Sequence, residues 1–149
     1  MFYKVLDSAA CNDNPLNSPL DFRTNLIEEL DLQGNWGVAL CDITFYKKAG
    51  KSLPSTLYVC TNIVEEYQVG KEQLPLLRRI HAIGNKQKGI FHIDYSDRYY
   101  IKVDKDFVRD ISIVIKDKDY PPVAHTNISQ PMQEGALLQT VVTLHFKIV

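Results

Sequence analysis

The sequence predicts an all-β chain, an antiparallel sandwich or barrel. Two observations carry that expectation. About eight or nine short runs rich in β-branched and aromatic residues alternate apolar with polar positions at a period of two, with turn-forming Gly, Pro, Asn, Asp and Ser between them. Sustained helical spacing is missing, so no βαβ alternation argues for a parallel sheet.

The first strand is predicted from Phe2 to Leu6. SAACNDNPLNSP follows as a loop, because Asn and Asp favour local backbone bonds and Pro15 and Pro19 cannot donate to a ladder. A second run starts near Leu20 and reaches Leu26 or Ile27, where the spacing of Leu26, Leu30 and Leu32 predicts a short helical turn closed by Gly34. NWGVALCDITFY, Asn35 to Tyr46, is long enough to cross a sandwich, with Gly37, Ala39, Cys41, Ile43 and Phe45 on one face and Trp36, Val38 and Leu40 on the other. Its first half is apolar on both faces and should be covered twice.

KKAGKSLPS reads as an exposed loop, and Thr56 to Thr61 as the next strand. Glu65-Glu66-Tyr67-Gln68 reads as a bend or sheet crossing, leading to a strand from Leu74 to Ile83 whose alternation Arg78 and Arg79 interrupt. Phe91, Ile93 and Tyr95, then a Ser96-Asp97 reversal, then Tyr99, Ile101 and Val103, predict a hairpin. From Phe107 to Lys116, Phe107, Ile111, Ile113 and Ile115 share a side. A long Pro-rich loop from Asp117 to Gly135 exceeds the usual connection and suggests a functional contact. In the last strand, Leu138, Thr140, Val142, Leu144, Phe146 and Ile148 alternate with Gln139, Thr143, His145 and Lys147.

At 149 residues the expectation is one domain over 1–149 with a core large enough to need no staple. Hydrophobic residues at 45% and charged residues at 23% place the chain with ordinary globular proteins. Seventeen basic against eighteen acidic residues give a net charge of -1, so no global field draws it to nucleic acid or an anionic membrane. No run approaches the ~18 apolar residues of a membrane helix, and MFYKVLD does not read as an export signal. The three cysteines, Cys11, Cys41 and Cys60, form no C-x-x-C pair. Cys41 and Cys60 lie inside apolar runs and are expected to be buried in a reducing compartment. The Asn127-Ile128-Ser129 sequon, without a secretory signal, reads as chance.

Chemistry-bearing motifs are sparse. No G-x-S-x-G elbow exposes a nucleophile. His81, His92, His125 and His145 show neither H-x-H nor H-E-x-x-H spacing, although His81 and His145 could meet across strands. The acidic pairs Glu28-Glu29 and Glu65-Glu66 and the Asp-rich loops read as solvated turns, not as a calcium loop or a glycosidase pair. The basic spots at Lys47, Lys48 and Lys51 and at Lys86 and Lys88 lack the interleaved aromatics of a base-stacking platform. Arg78 and Arg79 stand apart. Neighbours on a strand point to opposite faces, so one of them must look inward or toward another subunit, where an arginine would find a carboxylate; both are candidate subunit-contact residues.

The order of an N-terminal strand, an Asn/Pro-rich loop, DFRTNL, GNWGVALCDITF, LYVCTNIVEEYQVG, LPLLRRI and finally VVTLHF resembles the penton-type minor capsid proteins of Polinton/Maverick elements and adintovirus-like DNA viruses. The resemblance covers nearly the whole chain and is most specific at Tyr58 to Arg78 and Val141 to Phe146. It implies a single jelly roll of eight strands in two sheets that self-assembles as a homopentamer at icosahedral vertices, beside a major double-jelly-roll capsid protein. It also implies residence in the virion capsid, with synthesis in the host cytoplasm and the nucleus as a candidate place of assembly, or a host-captured copy. No catalytic residue, cofactor, metal, membrane or sequence-specific nucleic acid goes with it. The competing expectation is a β-sandwich binding module that recognises a glycan or protein through its end loops.

Overall fold

The structure, a computed structural model, describes residues 1–10, 17–48, 53–82, 89–117 and 137–149. Eleven strands and no helix occur among them: β1 (Phe2–Asp7), β2 (Asp21–Asp31), β3 (Trp36–Lys47), β4 (Thr56–Thr61), β5 (Tyr67–Val69), β6 (Glu72–Leu74), β7 (Leu76–His81), β8 (Ile90–Asp94), β9 (Ile101–Lys102), β10 (Phe107–Asp117) and β11 (Leu137–Ile148). One sheet runs β1-β11-β3-β8 with β9 also on β3, the other β2-β10-β4-β7, and every pairing is antiparallel. This is the expected all-β sandwich. Phe22, Phe45 and Phe146 are fully buried between the sheets with Ile43, Leu57, Ile111 and Leu144, so apolar burial from both inner faces is the main stabilising term.

Period-two reading failed wherever a bulge changes which face the chain presents. The helical turn predicted around Leu26, Leu30 and Leu32 does not form; β2 runs on to Asp31. Its spacings of four and two suit a strand face as well as a helix, and pairing with β10 decides. In β3, Leu40 lies opposite Leu144 and Asp42 opposite Thr143, so Cys41 is an extra residue. The bulge puts Val38 and Leu40 into the same core as Ile43 and Phe45, contrary to the simple alternation. The expected double cover of the first half is present, with Gly37 through Cys41 all buried.

Similar shifts expose Phe107 while Val108 is buried, and expose Leu138 while Leu137 joins the core. The predicted hairpin from Phe91 to Val103 is also absent. β8 and β9 both pair with β3, at Asp42–Tyr46 and at Gly37–Val38, and the segment between them arches away.

The Leu74–Ile83 run is divided. Leu74 ends a small hairpin, β5 with β6, turned by Gly70 at φ 63°, and Pro75 separates it from β7. Leu74 and Val69 pack with Cys60, Leu76, Tyr58 and Val114, so the Glu65 to Gln68 connector leads into a flap on the outer face of the second sheet. Residues 11–16, 49–52, 83–88 and 118–136, with the sequon, Cys11, His125 and the basic residues Lys51, Lys86 and Lys88, lie outside the described residues.

Candidate functional surface

Arg78 and Arg79 sit on β7, an edge strand of the second sheet. Cys60 pairs with Leu76 and Val59 with Arg78, so Leu77 is an extra residue that drops into the core beside the arginines. The Arg78 guanidinium reaches across to the arch after β8. It lies 3.5 Å from the centre of the Tyr95 ring and 4.4 Å from that of Tyr99, and donates to the Asp97 carbonyl at 2.7 Å. A planar cation between two aromatic rings is favoured by their negative π-faces. Arg78 thus clasps one side of the sandwich, joining an edge of each sheet within one chain. Burial pushes the Tyr95 hydroxyl up, against the opposing effect of Arg78. Arg79 is exposed, opposite Tyr58.

The arch also covers the outer face of the first sheet. His145, on β11, is buried there beneath Tyr3 (ring centres 4.5 Å apart) and Tyr100 (5.8 Å, edge-on). Its Nδ1 is 2.6 Å from the Tyr100 hydroxyl, and its Nε2 is enclosed with no hydrogen-bond partner among the described residues. Arg98 donates to the Tyr3 hydroxyl at 3.2 Å, and the Lys147 ammonium lies 4.1 Å from the Tyr100 ring centre. Burial, followed by Arg98, the amino terminus and Lys147, holds the imidazole below its ordinary value. His81 lies on β7 of the other sheet and is exposed, so the two histidines do not meet.

One further constellation has the composition of a nucleophile relay. Thr44 Oγ1 is 2.6 Å from His92 Nδ1, and His92 Nε2 is 3.1 Å from Asp94 Oδ2. Relay chemistry needs donors aimed at a developing oxyanion and a site that excludes water. Here Thr44 and His92 are cross-strand neighbours and Asp94 is two residues along the same open face, with the His92 and Asp94 side chains 44% and 77% exposed. The arrangement stabilises strand pairing. Among the described residues no group of three or more His, Cys, Asp or Glu could hold a metal ion. Cys41 and Cys60 are both buried, as expected, but beside the main core and not within it. Burial pushes the Cys60 thiol up to about 11 and raises Cys41 as well, which disfavours the reactive thiolate.

The sequence singled out Arg78 but not its partners. Tyr95 and Tyr99, four apart around a turn, were the available signal, and reading them as two arms of a hairpin concealed it. His145, on a polar alternation site, reads as solvent-facing or hydrogen-bonded; it is hydrogen-bonded, to Tyr100, and its burial beneath the arch has no local signal.

Among the described residues, the strands at the sheet edges differ in how they are protected. On β2, residues 26–29 bulge opposite Arg109, the Asn17 amide bonds both the N–H and the carbonyl of Arg23, and Arg23–Asp110 and Arg109–Glu29 ion pairs line the strand. β7 carries the Leu77 bulge, and β8 has five residues before the arch. β1 pairs with β11 without a register break from Phe2 to Asp7. No protein-family model, curated protein or solved structure matches this chain.

Proposed function

We propose that this chain is a structural capsid subunit of the penton-like kind, a single jelly roll that self-assembles as a homopentamer at icosahedral vertices beside a double-jelly-roll shell protein. The observation that carries the reading is the strand pairing. With the β5–β6 flap and the short β9 set aside, eight principal strands remain, and they pair first with eighth, second with seventh, third with sixth and fourth with fifth. A long antiparallel double strand rolled into two facing sheets would give this order, so the pairing supports a jelly-roll winding. The sequence resemblance points the same way.

The winding suits assembly physically. A dry aromatic and aliphatic core gives a rigid wedge for subunits to pack against. The reading assigns no catalytic residue and no cofactor. It places the protein in the virion, or in a host genome that captured such a gene.

Native mass measurement, alone and with a double-jelly-roll shell protein, tests it. The expected result is a species five times the 17.0 kDa of one chain, or incorporation at shell vertices seen by electron microscopy. A strict monomer at high micromolar concentration that ignores the shell protein would overturn it. If that monomer instead retained a glycan or protein on its end loops, the binding-module alternative would replace it.

A further inference from the structure

The arch between β8 and β9 is fastened to the outer face of the first sheet at one buried polar point. Gly37 on β3 carries no side chain, which leaves Tyr100 room to cross that strand; a Cβ there would lie 3.2 Å from Tyr100 Cβ. On the far side the Tyr100 hydroxyl meets His145 Nδ1 on β11 at 2.6 Å. The hydrogens of this contact can be counted. Arg98 donates to the Tyr3 hydroxyl and also faces the Tyr100 oxygen, and the two oxygens, Tyr3 first, raise the guanidinium pKa. A guanidinium only donates, so Tyr100 keeps its own hydrogen for Nδ1, which assigns the hydrogen of the neutral imidazole to Nε2. That atom is enclosed without an acceptor.

A second ring proton would fall on Nδ1 and aim at the Tyr100 oxygen, whose own hydrogen would then lack an acceptor. The groups packed around the ring offer no compensation: Tyr3 and the amino terminus beside β1, Arg98 and Tyr100 from the arch, Lys147 along β11, and uncharged Ala39 opposite on β3. Every charge among them is positive. We propose that the Tyr100–His145 contact is a proton-operated latch: when His145 takes a second ring proton, Arg98 to Lys102 swing off the outer face of the first sheet while the two sheets stay packed. The swing gives water to both ring N–H groups and uncovers Tyr3 and His145. It is local, because β9 pairs with β3 over two residues only, and Arg78 still grips Tyr95 at the near end of the arch. The latch is independent of the capsid reading, since every group in it belongs to one chain.

Amide exchange followed by NMR, corrected for the intrinsic effect of pH, tests it. Val103 N–H donates to the Trp36 carbonyl, so Ile101 N–H, two residues back, also faces β3 and reports the swing, while β4 amides report the whole sandwich. Burial, followed by the nearby positive charges, depresses the folded imidazole, so protons favour the open arch only below the ordinary value of about 6.5. From pH 7.5 to 5.5 the Ile101 opening constant should rise at least about threefold, toward a single-group limit of about tenfold. Ile101 should stay less protected than β4 at both values, with an opening indifferent to low urea, as a local event exposes little surface. His145→Gln should flatten the rise, and His92→Gln, which removes the exposed histidine paired with Asp94 on β8, should keep it. Should His145→Gln fail to fold, the wild-type His145 ring must titrate below pH 6.5 and the Ile101 rise must level off at that midpoint. No rise, a rise that shares the protection and urea slope of β4, a rise that survives in folded His145→Gln or vanishes in His92→Gln, or a His145 ring that titrates at 6.5 or above overturns the proposal.

Discussion

Replacing Arg78 by Ala removes the clasp between the two sheets and tests whether this arginine serves its own chain. Its guanidinium lies 3.5 Å from the centre of the half-buried Tyr95 ring, a contact on the order of 1–1.5 kcal/mol, and 4.4 Å from that of the exposed Tyr99, on the order of 0.5 kcal/mol. The bond to the Asp97 carbonyl, made by a charged donor but exposed, adds about 1 kcal/mol. The sum, about 2.5–3 kcal/mol, corresponds to a fall of roughly 5–12 °C in melting temperature for a domain of this size. Urea unfolding followed by far-ultraviolet circular dichroism measures it. Arg79→Ala, at an exposed position, should stay within about 0.5 kcal/mol of wild type. Arg78→Lys should recover less than half of the loss, because an ammonium cannot lie flat between two rings. If Arg78→Ala unfolds at the wild-type midpoint while oligomer mass falls, the clasp argument fails and Arg78 is a subunit-contact residue.

Acid should weaken the fold through His145. Its folded value is depressed, so stability is fully present above about pH 6.5 and is lost as pH falls from there toward the folded value, since the unfolded chain takes the proton first. Urea midpoints at pH 7.5, 6.5 and 5.5 should decline, and His145→Gln should remove part of that slope; an unchanged slope would refute the assignment. Tyr100→Phe strips His145 Nδ1 of its partner and should cost about 1–3 kcal/mol by thermal unfolding at neutral pH. Cys60, with its thiol at about 11, should resist iodoacetamide at pH 8 in the folded protein and react once urea unfolds it, as read by mass spectrometry. At Gly37 an added Cβ would lie 2.7 Å from Val149 Cγ1 and 3.2 Å from Tyr100 Cβ. Gly37→Ala should therefore loosen the arch and lower stability by about 1 kcal/mol in a denaturant titration.

Much of the architecture was legible because strand periodicity is local. β4 begins and ends at the residues read from the sequence, and β1, β3, β10 and β11 fall within one or two residues of theirs. Face assignment was not legible beyond a bulge. Nothing in VALCDI marks Cys41 as the extra residue, since the offset is fixed by β11 across the sheet, and the same holds for Leu77 against β4. The β8–β9 pair misled because Ser96-Asp97 is good turn chemistry, yet β3 offers both segments a better neighbour than they offer each other. Of the candidate surface, Arg78 was conspicuous as a charge on an apolar strand. Its aromatic seat lies 17 to 21 residues away and depends on how the sheets face, which no local pattern encodes.

The nested strand pairing also constrains the order in which this protein can become itself. Phe2 stacks on Phe146 at 4.8 Å, while the innermost pair, β4 with β7, is closed by a short stretch of chain. Loop closure is least costly at the centre and most costly at the rim, so structure grows outward from β4–β7 and the outermost β1–β11 pair forms late. On the ribosome β1 is made well before β11 and must wait for it. Through that interval β1 lacks β11, and Phe2 and Leu6 are exposed together with Tyr3 and Val5.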